Sequence, residues 1–560
     1  MFKKTDPNPQ LDIFTAPSMQ LGSRASKKYS DPNAWHNQFY SLVTTKIDEE
    51  IFKPLFPEGK KSGRPNASIR ILVAMSVLKE GFGCSDEDLF EKCEFDLLTR
   101  KALGMELLTD VTPSIDTYYL FRRRICEYQE RTGIDLMQLC FEQLAGKHVH
   151  LLKISGKCVR MDSKLIGSNI ARQSRYELIH TTLVKFLKTC TLTHLSPEQE
   201  ERAKEYLKED SSKTVYRSDS DTLQSNLARI GNFIMEMLAT FPATSPAHDL
   251  LQRLFDEQYA VKDGKAVLRD KKEVKADSLQ NPNDPDATYR AKNDQKVQGY
   301  VTNITETVEE GKPNIITSVQ VETAVFADCH FLQEAVENSE RVTDSTIEDL
   351  YADGAYQSPD NREFAKNHNA MQLKTGKMQG GCRWELIPHD EDGLTVREIA
   401  TGNTYEAVKA VTKQGSRKRW RIPWNNKTGW RYFEDKDIKA YQLRKQIESL
   451  PLEEQHKRNN VEAAMFQYSF HTRKGKTRYR GLLKHRMHAY SRCMWMNLRR
   501  MVIFQISTFQ RSIFALFGPI REAFGSFKAI SRKIFTSGAD CYVSLRMTTL
   551  VRLDSKYAPF

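Results

Sequence analysis

Glu462 is the one acidic residue between Lys457 and Arg521, a stretch that also holds fourteen lysines and arginines. A surface that basic suits a polyanion. A lone carboxylate there repels phosphate unless something recruits it, and Mg²⁺ takes one or two carboxylates together with phosphate oxygens. Two aspartates further up the chain could join it. Asp162 ends the β-prone run in GKCVRMDS, and Asp353 ends the run in IEDLYADGAY. Each acid also has a plain reading. Glu462 could pair with Arg458 one helical turn earlier, and an Asp at a strand end is commonly a turn or cap residue. Brought together, however, three carboxylates repel one another until divalent cations relieve them. Two such ions can clamp the attacking and leaving oxygens of an in-line phosphoryl displacement.

The elements that must position these acids alternate. A strand ends at Asp162. KVQGYVTNITE and IITSVQVETAVFA, separated by the turn-like EEGKPN, read as an antiparallel pair. The helix HFLQEAVENSE, the strand ending at Asp353, the helix NREFAKNH and the strand AMQLKT follow. A helix from about 436 to 470 carries Glu462. Two stretches interrupt the alternation. Residues 171–280 read as a helical insertion of mixed charge. Residues 380–435 read as a β-rich insertion, basic at Lys413, Arg417, Lys418 and Arg419.

Before this core, residues 1–34 read as a disordered or mobile N-terminus, and 35–150 as a helical domain. Ser85 with Asp88 forms a capping-box pattern. Ser114 caps a helix that carries Arg122, Arg123 and Arg124. Two readings stay open: a helix-turn-helix-like DNA-binding module, or an ordinary bundle with a solvated basic face. Residues 501–560 read as a basic C-terminal helix and tail. Its apolar run, MVIFQISTFQRSIFALFGPI, is broken by Gln505, Gln510 and Arg511, so it reads as a packed or amphipathic helix rather than a span. The 560 residues are 28% charged and 39% hydrophobic with net charge +12, which fits a globular protein of several domains that meets nucleic acid or another anionic surface. Ten cysteines are scattered without CxxC or zinc-site spacing, and MFKKTDPNPQLDIF has no leader-like apolar run, so a cytoplasmic protein with reduced thiols is expected.

With the acids placed, the chain resembles the DDE transposases of bacterial insertion sequences. VRMDSKLIGSNIA resembles that family's first-Asp strand, DPDATYRAK with GYVTNI the approach to its second strand, and ADGAY its second-Asp motif. RNNVEAAMFQYSFHTRKGKTRYRGLLK resembles its third motif, and RPNASIRILVAMSVLKEGFGCSDEDLFEKC its preceding helical domain. The resemblance implies a ribonuclease-H-like α/β core of mixed sheet over residues 151–500, interrupted by the two insertions. It implies catalysis and metal binding by Asp162, Asp353 and Glu462 with two Mg²⁺ (or Mn²⁺). Partners would be the element's terminal repeats and target DNA, held by a homodimer on the nucleoid. Arg458, Arg473, Lys474, Lys476, Arg478, Arg480, Lys484 and Arg122–Arg124 would contact DNA. The chain departs from the family where a Tyr and a Lys often flank the Glu: Gln455 and Ser469 stand there instead. Contact with the element's terminal phosphate would then fall to Arg473, Lys474 or Lys476. A degenerate transposase that only binds DNA, a nuclease without strand transfer, and a basic scaffold on RNA or a membrane surface are the rival readings.

Overall fold

The computed structural model describes residues 2, 4, 16–56, 66–191, 194–242, 245–292, 295–375, 382–389, 393–410, 419–424, 429–449, 451, 454, 457 and 461–531, with backbone alone at 424 and 509–531. Residues 16–34, expected to be disordered or mobile, form two short helices, α1 (Pro17–Gln20) and α2 (Ser23–Tyr29). They are tied down because Tyr29 is buried and its carbonyl accepts from His36 Nε2 at 2.8 Å.

Six helices follow: α3 (Trp35–Leu42), α4 (Ile69–Phe82), α5 (Asp86–Phe95), α6 (Leu97–Leu103), α7 (Ile115–Thr132) and α8 (Leu136–Leu152). α4 is apolar nearly all round, so it is buried nearly all round and forms the middle of this bundle. Ser85 and Asp88 close the expected capping box on α5, and Ser114 caps α7.

β1 (Cys158–Gly167) opens the central sheet. The expected strand end at Asp162 is overturned: β1 runs five residues further, because its antiparallel pairing continues unbroken to Gly167. The 171–280 segment then folds as α9 (Arg175–Leu187), α10 (Pro197–Lys208), α11 (Ser211–Arg217), α12 (Ser220–Thr240) and α13 (Pro246–Gln258), with a hairpin of β2 (Tyr259–Lys262) and β3 (Lys265–Leu268). It has its own core, built around Ile179, Leu183, Phe233, Ile234 and Leu251. β4 (Thr288–Lys292), β5 (Gln295–Thr307), β6 (Ile316–Thr323), α14 (Leu332–Thr343), β7 (Asp349–Ala352), α15 (Pro359–Asn367) and β8 (Gln372–Thr375) complete the central layer.

The strands lie in the order β4-β5-β1-β7-β8, with β6 sharing the β4 side of β5. β5 pairs antiparallel with β1, β4 and β6, while β7 runs parallel to both β1 and β8. β5 is therefore the single strand that opposes the rest. Successive side chains of β1 point to opposite faces. Val159, Met161 and Leu165 enter the core with Phe331, Leu332 and Leu350. Arg160, Asp162, Lys164 and Ile166 take the other face, where Ile166 joins the core shared with the N-terminal helices.

The 380–435 segment, expected to be β-rich, carries a five-stranded antiparallel sheet: β9 (Trp384–Pro388), β10 (Leu394–Glu398), β11 (Thr404–Ala410), β12 (Arg419–Trp424) and β13 (Gly429–Glu434). Trp384, Val396, Trp420 and Phe433 pack it onto α16 (Asp435–Glu448). The single helix expected from 436 to 470 does not form. α16 ends before Pro451, whose ring and missing N–H disfavour continuation, and Glu462 lies on a separate helix, α17 (Val461–Ser469). The final helix, α18 (Leu482–Ser531), starts well before the boundary expected at 501. Its first part is buried against the bundle: Trp495 packs at 5.4 Å, edge to face, on Phe82 of α4. Among the described residues no helix is long and apolar enough to cross a membrane.

Gly167 and Gly299 are register partners on β1 and β5. A Cβ on Gly299 would lie 2.6 Å from the Ser168 nitrogen and closer still to the Ile166 carbonyl oxygen, so backbone would have to move. Gly299→Ala is expected to destabilise the protein by about 1–3 kcal/mol, read as a lower midpoint in urea unfolding. An unchanged midpoint would mean that the strands can part there without cost.

Candidate functional site

Strand pairing sets two of the three acids. Cys158, Val159 and Arg160 of β1 pair in register with Asp349, Leu350 and Tyr351 of β7. Asp162 lies two residues past this paired stretch on β1, and Asp353 lies just beyond the end of β7, where it caps the short 3₁₀ turn Gly354–Tyr356. Ser163 donates its backbone N–H to Asp162 Oδ1 at 2.8 Å, and Gly354 donates to Asp353 Oδ1 at 2.7 Å, so each carboxylate is oriented by the next peptide unit. Both are half-buried. Beneath them lies the fully buried Tyr356, whose hydroxyl donates to Asn303 Oδ1 at 2.7 Å. Burial pushes its phenol well above the ordinary range, and the charges of Asp162, Asp328 and Asp353 push it further. Asp328 is occupied, held by Arg290 at 3.0 Å and Lys292 at 3.2 Å.

α17 brings the third acid. It lies on the face of β1 that carries Asp162, and two basic side chains of β1 fasten the segment on either side. Arg160 donates to the Lys457 carbonyl at 2.8 Å. Lys164 reaches the far end, at 2.8 Å from Ser469 Oγ and 3.4 Å from the Met465 carbonyl. Tyr468 adds a hydroxyl contact with Thr302 on β5 at 3.1 Å. Asp162 stands between the two fastenings on the strand, and Glu462 between them on the segment, exposed in the first turn of α17. Among the described residues, no group of three His, Cys, Asp or Glu is close enough to hold a metal ion. Sequence reasoning passed over Arg160 and Lys164, although the alternation in VRMDSK already puts Arg, Asp and Lys on one face.

The basic residues divide into two groups. Arg473, Lys474 and Lys484 are exposed. Lys476, half-buried, and Arg478 and Arg480, both exposed as well, also donate to the fold, to the carbonyls of Ile170 (2.6 Å), Gly83 (2.7 Å) and Asn169 (2.7 Å). Their loop is also stitched to the end of β1 by Gly167 N–H to the Gly475 carbonyl at 2.8 Å and Thr477 N–H to the Gly167 carbonyl at 3.0 Å. Arg122, expected on a DNA-facing cluster, stacks instead against the rings of Tyr118 (5.4 Å) and Tyr479 (5.3 Å), so its charge is spent on packing. Arg123 is exposed and lies 3.5 Å from Glu127, while Arg124 is half-buried with its guanidinium 6.0 Å from the Phe56 ring. Arg458 and Gln455 lie outside the described residues.

One acid that the sequence reading missed holds the basic loop to the N-terminal bundle. Glu80, near the end of α4, accepts from the Tyr479 hydroxyl and from His488 Nδ1 at 2.7 Å. Arg492 donates to its carbonyl at 2.8 Å. Burial alone would raise this carboxyl, but His488, Lys79 and Tyr479 outweigh it and pull it down to about 2. The signal was present: Glu80 is the single acid in the apolar helix IRILVAMSVLKEGF.

Comparison with known families bears on this part of the chain. Residues 28–124 match the family model described as "Transposase domain (DUF772)". The match takes in α3 to α6 and half of α7, including Glu80, and it supports a transposase family and thus a DNA-processing enzyme. No curated protein and no solved structure matches the chain.

Because the Glu80 carboxyl sits below its ordinary value of 4.5, its contribution to stability is complete above about pH 4.5 and is lost as pH falls toward 2. The shift corresponds to on the order of 3 kcal/mol. Glu80→Gln is expected to lower the urea midpoint at pH 7 and to flatten the loss of stability between pH 4.5 and pH 3. A variant whose midpoint and acid profile match wild type would remove Glu80 from this role.

Proposed function

We propose that the chain is an insertion-sequence DNA transposase of the DDE type, built on a ribonuclease-H-like core. The observation that supports this is that Asp162 lies on β1 and Asp353 just past the end of the adjacent parallel strand β7, with the helix bearing Glu462 fastened to the same face of β1. The strand order, with β5 alone opposing the others, is the one this fold would have. The family match at residues 28–124 supports the same direction.

Asp162, Asp353 and Glu462 would hold the metal ions. Aspartate and glutamate oxygens are the hard donors that Mg²⁺ and Mn²⁺ take. Two such ions, when bound, make water or a sugar hydroxyl nucleophilic and stabilise the leaving oxygen. The exposed Arg473, Lys474 and Lys484, with Arg458, would bind the phosphate backbone and set its register without reading sequence. In the first step the oxygen of water bonds to phosphorus at the element's end, and the 3′-oxygen leaves as a hydroxyl. In the second that 3′-hydroxyl attacks a phosphodiester of target DNA and displaces the target's own 3′-oxygen. Holding two ends at once calls for a homodimer on DNA, working in the cytoplasm at the nucleoid.

A second reading, DNA binding without catalysis, is favoured by one observation: the lack of a three-ligand cluster among the described residues. Incubation of the protein with Mg²⁺ and a duplex carrying the element's ends separates the two. Wild type is expected to cut, and Glu462→Gln to lose at least about 100-fold, beyond what outer-shell changes usually cost, with DNA affinity retained. Equal cutting by both proteins would exclude Glu462 from the chemistry, and cutting by neither would favour the binding-only reading. Arg473→Ala is expected to lower the slope of log affinity against log salt by about 1; an unchanged slope would place Arg473 away from the phosphates.

A further inference from the structure

The β-rich segment has no part in the reading above, yet its charges and rings are not those of a plain structural sheet. Residues 407–433 contain eight lysines or arginines and no aspartate or glutamate. Three tryptophans, a tyrosine and a phenylalanine fall in the same run. The fold uses one face of it: Trp420, Ile422 and Phe433 are buried with Trp384, Val396 and Tyr441. Alternation sends Arg419, Arg421, Trp430 and Tyr432 to the opposite face. There Trp430 is 48% exposed and Tyr432 38%, and Val408 beside them on β11 is exposed too. Adjacent apolar side chains left open on a sheet whose core is already closed mark a surface that meets a partner.

The four outer side chains form one array. β12 and β13 pair so that Arg421 stands opposite Tyr432 and Pro423 opposite Trp430. Each guanidinium reaches diagonally to a ring: Arg421 lies 4.2 Å from the Trp430 ring centre, and Arg419 4.1 Å from that of Tyr432. The Nε of both arginines is buried without a hydrogen bond among the described residues, so the rings hold the guanidiniums in place. Glu434 lies 3.9 Å from Arg419 Nε, beyond hydrogen-bond reach. An arginine held by its flat face keeps edge N–H groups for a phosphate. We propose that this outer face of β12 and β13 is a platform for single-stranded DNA. An acid-free basic run fits a polyanion, and the rings select its form: duplex bases are stacked on one another, whereas unpaired bases offer a free face. Trp430 and Tyr432 stand two residues apart, about 6.8 Å along the strand, so each takes its own base. The transposase-domain match at residues 28–124 makes DNA the nucleic acid to expect. The platform does not depend on Asp162, Asp353 and Glu462.

The test is fluorescence anisotropy of a short labelled oligothymidylate titrated with the full chain. EDTA is present so that no metal chemistry enters, and urea midpoints confirm that each variant is folded. Wild type is expected to bind. Trp430→Ala and Tyr432→Ala are each expected to weaken binding about 5–100-fold, the cost of one lost base stack. Trp430→Phe keeps a ring and is expected to stay within about fivefold of wild type. Arg421→Gln is expected to lower the slope of log affinity against log salt by about 0.7. A second readout locates the contact: ultraviolet cross-linking of the same oligonucleotide carrying bromouracil is expected to label the peptide that holds Trp430 and Tyr432. No binding by wild type, wild-type affinity in Trp430→Ala, or cross-links confined to other peptides overturns the proposal. So does an equal loss of single-strand and duplex affinity in Trp430→Ala, since the face would then act through charge and not stacking. Tighter binding of oligouridylate than of oligothymidylate would overturn the assignment to DNA. A shift from dimer to monomer in Trp430→Ala, with oligonucleotide binding intact, would overturn it in favour of an interface between copies.

Discussion

Arg160 and Glu306 face each other across β1 and β5, 3% and 0% exposed, and the arrangement of the site depends on that pair. Arg160 Nε donates to Glu306 Oε1 at 2.6 Å, and the other carboxylate oxygen meets Arg500 of α18 at 2.6 Å. Two charges this deep cannot return to water, and leaving either without its partner costs several kcal/mol, roughly 3–5. Hydrogen bonds also have narrow geometry where apolar contacts do not. The pair therefore fixes the β1–β5 register and the seat of α18, and Arg160 also holds the Lys457 carbonyl. Strand alternation does the rest: once Arg160 faces that side, Asp162 and Lys164 must face it too.

The N-terminal bundle is joined to the same device from the other end. Glu80 of α4 grips Tyr479 and His488, while β1 holds the Gly475–Thr477 backbone of the loop between them. The segment that matches a transposase domain and the C-terminal segment thus share several polar contacts around Glu80 and one apolar core. A rigid basic loop follows, with Arg473 and Lys474 turned out to solvent. Cationic side chains on a loop tied at both flanks lose less entropy on meeting phosphate than free ones would.

Local chemistry was easy to read in the sequence. The capping box at Ser85, the cap at Ser114, the β5–β6 pair and the strand ending at Asp353 follow from side-chain type and period alone. Other features required tertiary partners. Asp162 reads as a strand end because the sequence after it, SKLIGSN, gives no sign that β5 stays alongside as far as Gly167. The apolar spacing from 436 to 470 reads as one helix, and Pro451 is the local signal against it. Arg122 looked like part of a DNA-facing cluster because its ring partner Tyr479 is more than 350 positions away in the chain. The hairpin inside the helical insertion was missed despite Asp263-Gly264, both of which adopt the positive φ that a tight two-residue turn needs. Glu306 could not be recognised as a buried acid from KVQGYVTNITE, where it reads as the polar end of a strand.

The central claim is that Asp162, Asp353 and Glu462 hold metal ions in common beside the DNA. Replacing Mg²⁺ with Fe²⁺ in the DNA complex and adding ascorbate and peroxide generates hydroxyl radicals at the bound metal, which cut the polypeptide close by. The account predicts breaks near residues 162, 353 and 462 that excess Mg²⁺ suppresses together. Breaks confined to other segments, or suppression at one position without the others, would contradict it.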